Sequence, residues 1–121
     1  MNLLECVNMF LESFPEYEQT YENHIIDYDG KILGHVFFGD VINIPLTELL
    51  SRNIENGEIK RYINFVNLMY EKGDDSVKNI VEVTILEYLG DDKSVLQRAI
   101  NYFSAEVINA SKRVEIFLGR Y

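Results

Sequence analysis

Apolar residues recur at helical spacing along almost the whole chain. At the start they stand three or four positions apart, which predicts an amphipathic helix over 2–14. Its apolar positions are Leu3, Leu4, Val7, Phe10, Leu11 and Phe14. Pro15 ends this pattern and can itself open a second helix, because the first helical residue needs no N–H donor. The second helix is predicted to run to about Ile26.

The stretch 24–38 has two interpretations. Asp29-Gly30 lies between apolar runs, which is typical of a hairpin turn. Strict alternation fails on both sides of the pair, however. The apolar residues after it repeat as in a helix, at Ile32, Leu33, Val36 and Phe37. We favour a loop followed by a third helix, with a small hairpin over 24–38 as the alternative.

Proline and glycine residues divide the middle of the chain. Pro45 lacks a backbone donor, so the third helix should be broken or kinked near Asn43 and Ile44. Asn56-Gly57 is predicted to form a turn that closes this segment. A further helix then runs from about Ile59 to Lys72, because apolar residues again stand three and four positions apart.

A Gly-Asp-Asp motif occurs twice, seventeen residues apart, as Gly73-Asp74-Asp75-Ser76-Val77 and Gly90-Asp91-Asp92-Lys93-Ser94-Val95. Each glycine is expected to end one helix, and an aspartate to cap the next. Two short helices of matched length should follow. A last helix should end before Gly119, with apolar positions at Val107, Ile108, Val114, Phe117 and Leu118.

These elements predict an all-α fold in a single domain, 1–121. We expect a compact bundle of about six to seven short antiparallel helices, because connections of two or three residues force neighbouring helices to reverse direction. The short helices are also typical of helical repeats of the HEAT or armadillo type. A chain of 121 residues is long enough to bury its own core.

Twenty acidic residues against eleven basic ones give a net charge of -9. This charge repels free nucleic acid and anionic lipid, and it would speed association with a basic protein, although solubility alone also explains it. Cys6, the single cysteine, cannot form an internal disulfide and should pack as a small apolar residue. The start of the chain lacks a basic signal-peptide flank, and no apolar run is long enough to span a membrane. We therefore expect a cytoplasmic protein.

Nothing in the sequence points to catalysis, a cofactor or a metal. His24 and His35 stand eleven residues apart with no nearby cysteine, unlike the ligands of a zinc site. His35 is expected to be a packed histidine with a satisfied hydrogen bond. The paired aspartates are better explained as helix caps than as acid/base groups. We therefore predict a binding protein and not an enzyme.

Acidic and aromatic residues alternate near the second helix. Tyrosine offers a large contact area with a polar tip, and neighbouring carboxylates would steer a basic partner towards it. The predicted partner-binding residues are Glu16, Tyr17, Glu18, Tyr21, Glu22, Asp27 and Asp29. The alternative is that these tyrosines are half-buried at the edge of the core.

Three segments resemble the small, acidic, helical immunity proteins of bacterial polymorphic-toxin and contact-dependent growth inhibition systems. They are Phe14-Pro15-Glu16-Tyr17, Leu33-Gly34-His35-Val36-Phe37-Phe38-Gly39-Asp40, and Gly73-Asp74-Asp75-Ser76-Val77-Lys78-Asn79 with the following Ile85-Leu86-Glu87-Tyr88-Leu89. The chain departs from the resemblance at Gly34, where a proline would precede the histidine.

The resemblance implies an immunity protein that neutralises a cognate toxin domain by covering its active site. That toxin would be a basic nuclease, with a ribonuclease, including the EndoU type, as the first expectation. A helical adaptor for another cytosolic protein is the alternative function. The negative charge fits the first role, since an acidic surface can replace the phosphates of a nuclease substrate.

Overall fold

The computed structural model describes residues 1–52 and 56–120, and within them the regular structure is helical throughout. The described residues form seven helices. A 3-10 turn, Pro15–Tyr17, leads into α2. The helices are α1 (Leu3–Ser13), α2 (Glu18–Asp27), α3 (34–51, from the abutting segments Gly34–Phe38, Gly39–Asn43 and Ile44–Ser51), α4 (Gly57–Lys72), α5 (75–89, from Asp75–Asn79, Ile80–Leu86 and Glu87–Leu89), α6 (Lys93–Ile100) and α7 (Ala105–Leu118). The all-α bundle is thereby confirmed.

Local capping sets the ends of the first helix. The Asn2 side chain accepts a hydrogen bond from the Glu5 backbone N–H at 2.9 Å, and the Glu5 carboxylate accepts one from the Asn2 N–H at 3.0 Å. This reciprocal pair satisfies two N–H groups that the helix itself leaves unpaired. Phe14 then leaves the helical conformation, and Pro15 opens the 3-10 turn. The predicted ends of this helix are confirmed.

The hairpin alternative for 24–38 is wrong. After α2 the chain reverses through Asp29 and Gly30, both in the left-handed region at φ 55° and 82°. The Gly30 N–H donates to the Ile25 carbonyl at 2.8 Å, which closes the end of the helix. Buried His24 then accepts a hydrogen bond at Nε2 from the Leu33 N–H at 3.0 Å, which holds the loop against α2. The loop followed by a third helix is confirmed.

Two π-helical segments, 39–43 in α3 and 80–86 in α5, pack against each other. Asn43 Nδ2 donates to the Thr84 carbonyl at 2.9 Å, and His35 Nδ1 lies 2.5 Å from Thr84 Oγ1. The segment in α3 ends just before Pro45, so the predicted irregularity near Asn43 is confirmed. The expectation that His35 is packed is wrong, because the residue is exposed, whereas its expected hydrogen bond is present.

Both Gly-Asp-Asp motifs cap helices as predicted. Asp74 accepts a hydrogen bond from the Val77 N–H at 3.0 Å, and Asp92 accepts one from the Ser94 N–H at 2.9 Å. The expectation of matched lengths is wrong, because α5 is much longer than the eight-residue α6. Asn56 caps α4 by accepting from the Glu58 N–H, so Asn56-Gly57 begins a helix. Residues 53–55, which precede the pair, lie outside the described residues.

Aromatic rings form the centre of the core. Phe10 stacks on Phe14 with centroids 4.5 Å apart, and it meets the edges of Phe37, Phe38 and Phe65. Such edge-to-face contacts add to the burial of each ring. Around this core, α5 packs against α1, α3, α4, α6 and α7, whereas α2 lies at the edge of the bundle.

Gly34 lies at a close contact between the start of α3 and two other helices. A Cβ at this position would lie 2.7 Å from Ile80 Cδ1 and 2.9 Å from Leu3 Cδ1. A proline ring would need the same space. The start of α3 therefore packs against α1 and α5 through a residue without a side chain.

Candidate functional site

The predicted partner-binding residues lie on α2 and on the turns that flank it. All five of their carboxylates are exposed, and we call the four without Glu16 the acidic α2 surface: Glu18, Glu22, Asp27 and Asp29. Glu18 and Glu22 share one face of the helix because they stand four residues apart. Among the described residues none of the four forms an ion pair. Their charge is therefore available to a partner.

Glu16 differs, because Arg61 already engages it. Arg61 Nη1 and Nη2 donate to the two Glu16 carboxylate oxygens at 2.6 and 2.9 Å, and Nη2 also donates to the Ser13 carbonyl at 2.7 Å. The guanidinium group lies 4.1 Å from the centroid of the Phe14 ring. Its hydrogen bonds lower the pKa of Glu16 below its usual value. Glu16 thus joins the start of α2 to α4.

The two predicted tyrosines are half-buried against the core. Tyr17 packs beside Phe10 with centroids 5.6 Å apart, and its hydroxyl bonds to the Tyr62 hydroxyl. The pKa of Tyr62 is raised, mainly by burial and to a smaller extent by this hydrogen bond. Tyr21 meets the edge of the Phe37 ring at 5.8 Å. Tyr17 and Tyr21 are therefore half-buried at the edge of the core, as the alternative interpretation predicted, and only part of each side chain is exposed.

Apolar side chains nevertheless stand among the exposed carboxylates. Ile26, the last residue but one of α2, is 74% exposed, and Tyr28 is exposed in the following turn. Interface surfaces combine apolar and aromatic contacts with a polar rim. Ile26 and Tyr28 were absent from the predicted set. Their signal in the sequence is weak, since an apolar residue next to a helix end is usually buried.

The last helix carries another exposed apolar group. Phe117 was predicted as part of the apolar stripe of α7, yet it is 88% exposed. It borders a groove between α5 and α7 that is also lined by Val83, Arg113 and Val114. A second groove, between α6 and α7, has a volume of about 350 Å³. Neither groove was predicted, because each exists only where two helices meet.

Within the described residues, no three His, Cys, Asp or Glu side chains lie close enough together to hold a metal ion. Cys6 is buried, and burial raises the pKa of its thiol to about 12. It packs as a small apolar residue, as expected. The part of the chain that the structure describes contains no helix with the length and apolar character needed to cross a membrane.

A family model described as "Domain of unknown function (DUF7674)" matches residues 7–119. No curated protein and no solved structure matches the chain. The family match begins within α1 and ends just after α7, so it includes the acidic α2 surface, the core except Cys6, and both grooves except Arg120. The chain belongs to the DUF7674 family.

Proposed function

We propose that this protein is an immunity protein that binds a cognate toxin and blocks its active site. The toxin is a nuclease with a basic surface, and a ribonuclease is the first candidate. The observation that carries the proposal is the acidic α2 surface, where four exposed carboxylates are free of ion pairs within the described residues. The resemblance to immunity proteins supplies the class of partner.

A nuclease binds the phosphates of its substrate through basic side chains. The exposed carboxylates of the acidic α2 surface can pair with the same basic side chains. A net charge of -9 on 121 residues also attracts such a partner over a distance and raises the rate of encounter. Ile26 and Tyr28 add apolar contact area beside these charges.

Co-expression with the protein encoded immediately upstream tests the proposal. We expect the upstream protein to arrest growth when expressed alone, and this chain to restore growth and to co-purify with it in a one-to-one complex. No rescue and no complex would overturn the immunity proposal in favour of a helical adaptor for another protein.

A charge-reversal experiment tests which surface binds. The triple variant Glu18→Lys, Glu22→Lys and Asp27→Lys should slow association with the toxin by about tenfold or more at low salt, because the steering charge is reversed. The matched control reverses three exposed acids elsewhere, Asp40, Asp75 and Glu106, which also have no ion pair among the described residues, and it changes the net charge equally. Equal slowing by both triple variants would show that the acidic α2 surface is not the binding site.

A further inference from the structure

The charge of this protein is unevenly distributed along the chain. Residues 93–120, which hold α6 and α7, contain five Lys or Arg and two Glu, whereas the chain as a whole contains eleven basic and twenty acidic residues. This segment is therefore positive by formal charge within a strongly negative molecule, although it adjoins Asp92, which caps α6, and Asp91, which pairs with Arg120. The acidic α2 surface accounts for part of the opposite charge.

The positive region encloses an apolar groove between α6 and α7. Leu96 and Ile100 of α6 face Ile116 of α7 across it, and Ile116 is 60% exposed. Lys93 and Lys112 line the same groove. Leu96 and Ile100 stand three and seven residues after Lys93, so all three lie along one side of α6.

The two lysines have no ion-pair partner among the described residues, unlike the neighbouring Arg120. Arg120 Nη1 donates to Asp91 at 2.7 Å, and its Nε donates to buried Glu115 at 3.0 Å. Arg120 is therefore paired with carboxylates of the protein itself, and it joins the end of α7 to the end of α5. Lys93 and Lys112 are therefore available to pair with carboxylates of a segment bound in the groove.

We propose that the α6–α7 groove binds an amphipathic helical segment of a partner protein that carries carboxylates beside its apolar side chains. Apolar anchors at i, i+3, i+4 and i+7 would fill the groove in the manner of other helix-in-groove complexes. The carboxylates would pair with Lys93 and Lys112. The eight residues of α6 span about 12 Å, so the groove accepts about two turns of the segment. This proposal is independent of the toxin-binding role of the acidic α2 surface.

Two model peptides, each about three turns of helix long, test it. Both carry Leu at the four anchor positions. One has Glu at the flanking positions, and the other has Gln there. With methyl-labelled protein, we expect the Glu peptide to shift the Ile100 and Ile116 methyl signals saturably and to bind at least tenfold more tightly than the Gln peptide at low salt.

The double variant Lys93→Glu and Lys112→Glu should abolish binding of the Glu peptide. The matched control is Lys60→Glu with Lys72→Glu, two exposed lysines of α4 that do not line the groove, and it should bind as the unaltered protein does. Circular dichroism checks that both variants fold.

Three results would overturn the proposal. The first is that the Glu peptide fails to bind or binds no more tightly than the Gln peptide. The second is that binding survives the Lys93→Glu and Lys112→Glu changes. The third is concentration-dependent dimerisation that only this double variant abolishes, which would make a second copy of the chain the occupant.

Discussion

Arg61 and Glu16 form a two-point ion pair across 45 residues of sequence, with N–O distances of 2.6 and 2.9 Å. The same guanidinium group also bonds to the Ser13 carbonyl and lies over the Phe14 ring. This one side chain therefore joins α4 to the junction between α1 and α2. It holds in place the start of the helix that carries the acidic surface.

Replacing Glu16 with Gln should destabilise the protein by about 1 kcal/mol at most, because both side chains of the pair are partly exposed to solvent. The matched control is Glu22→Gln in the middle of α2, which removes an exposed carboxylate that has no ion pair among the described residues and should leave stability nearly unchanged. Urea unfolding at pH 7 measures both. Equal stability of the two variants would show that the Arg61 pair contributes nothing.

The pH dependence of this pair follows from the lowered pKa of Glu16. Because the folded protein holds the carboxylate below its ordinary pKa of 4.5, the stabilisation is present above that pH and is lost as the pH falls through the folded value. The stability difference between the unaltered protein and Glu16→Gln should therefore shrink on acidification below about pH 4.5. A difference that persists to pH 2 would contradict this assignment.

Cys6 should be almost unreactive in the folded protein. Burial raises its thiol pKa to about 12, so little thiolate is present at pH 8. Alkylation at pH 8 should be at least about a hundredfold slower in native buffer than in denaturing urea. Since the folded pKa is the higher one, the associated stabilisation is complete below the ordinary value of 9.0 and is lost as the pH rises towards 12. The Cys6→Ala variant, which lacks the thiol, controls both measurements.

Two glycine-to-alanine changes should differ in their effect on stability. A Cβ at Gly73 would lie 2.3 Å from the Met69 carbonyl oxygen, so Gly73→Ala should cost about 1–3 kcal/mol. A Cβ at Gly57, the first residue of α4, meets no atom of the described residues within 4 Å. Gly57→Ala should therefore be neutral or stabilising, because alanine restricts the unfolded chain. Thermal unfolding of both variants tests this difference, and similar melting temperatures would contradict it.

Asn67 joins α4 to the connection between α6 and α7. Its Nδ2 donates to the Tyr102 carbonyl at 3.2 Å, and its Oδ1 accepts from the Ser104 N–H at 3.0 Å. Asn67→Asp removes the donor and should cost about 1–3 kcal/mol at neutral pH, because the partly buried carbonyl loses its partner. The same change at exposed Asn64, three residues earlier on α4, is the control and should have little effect on denaturant unfolding.

The helix ends were predictable from the sequence because the interactions that set them are local. Asn2, Asp74 and Asp92 each bond to a backbone N–H two or three residues away, and Pro15 acts through its own ring. The helical class followed from the spacing of apolar residues. These effects act within one or two turns of chain, so reading consecutive residues is enough to find them.

Only the tertiary structure decided which of the predicted surface residues are paired, buried or exposed. The sequence pattern over 16–29 located an acidic, aromatic segment. Only contacts with α4 and α3 determined that Arg61 pairs with Glu16 and that Tyr21 packs against Phe37. The same holds for the exposure of Phe117 and for the groove between α6 and α7. Helical periodicity shows which residues share a face, whereas the burial of that face depends on neighbouring helices distant in sequence.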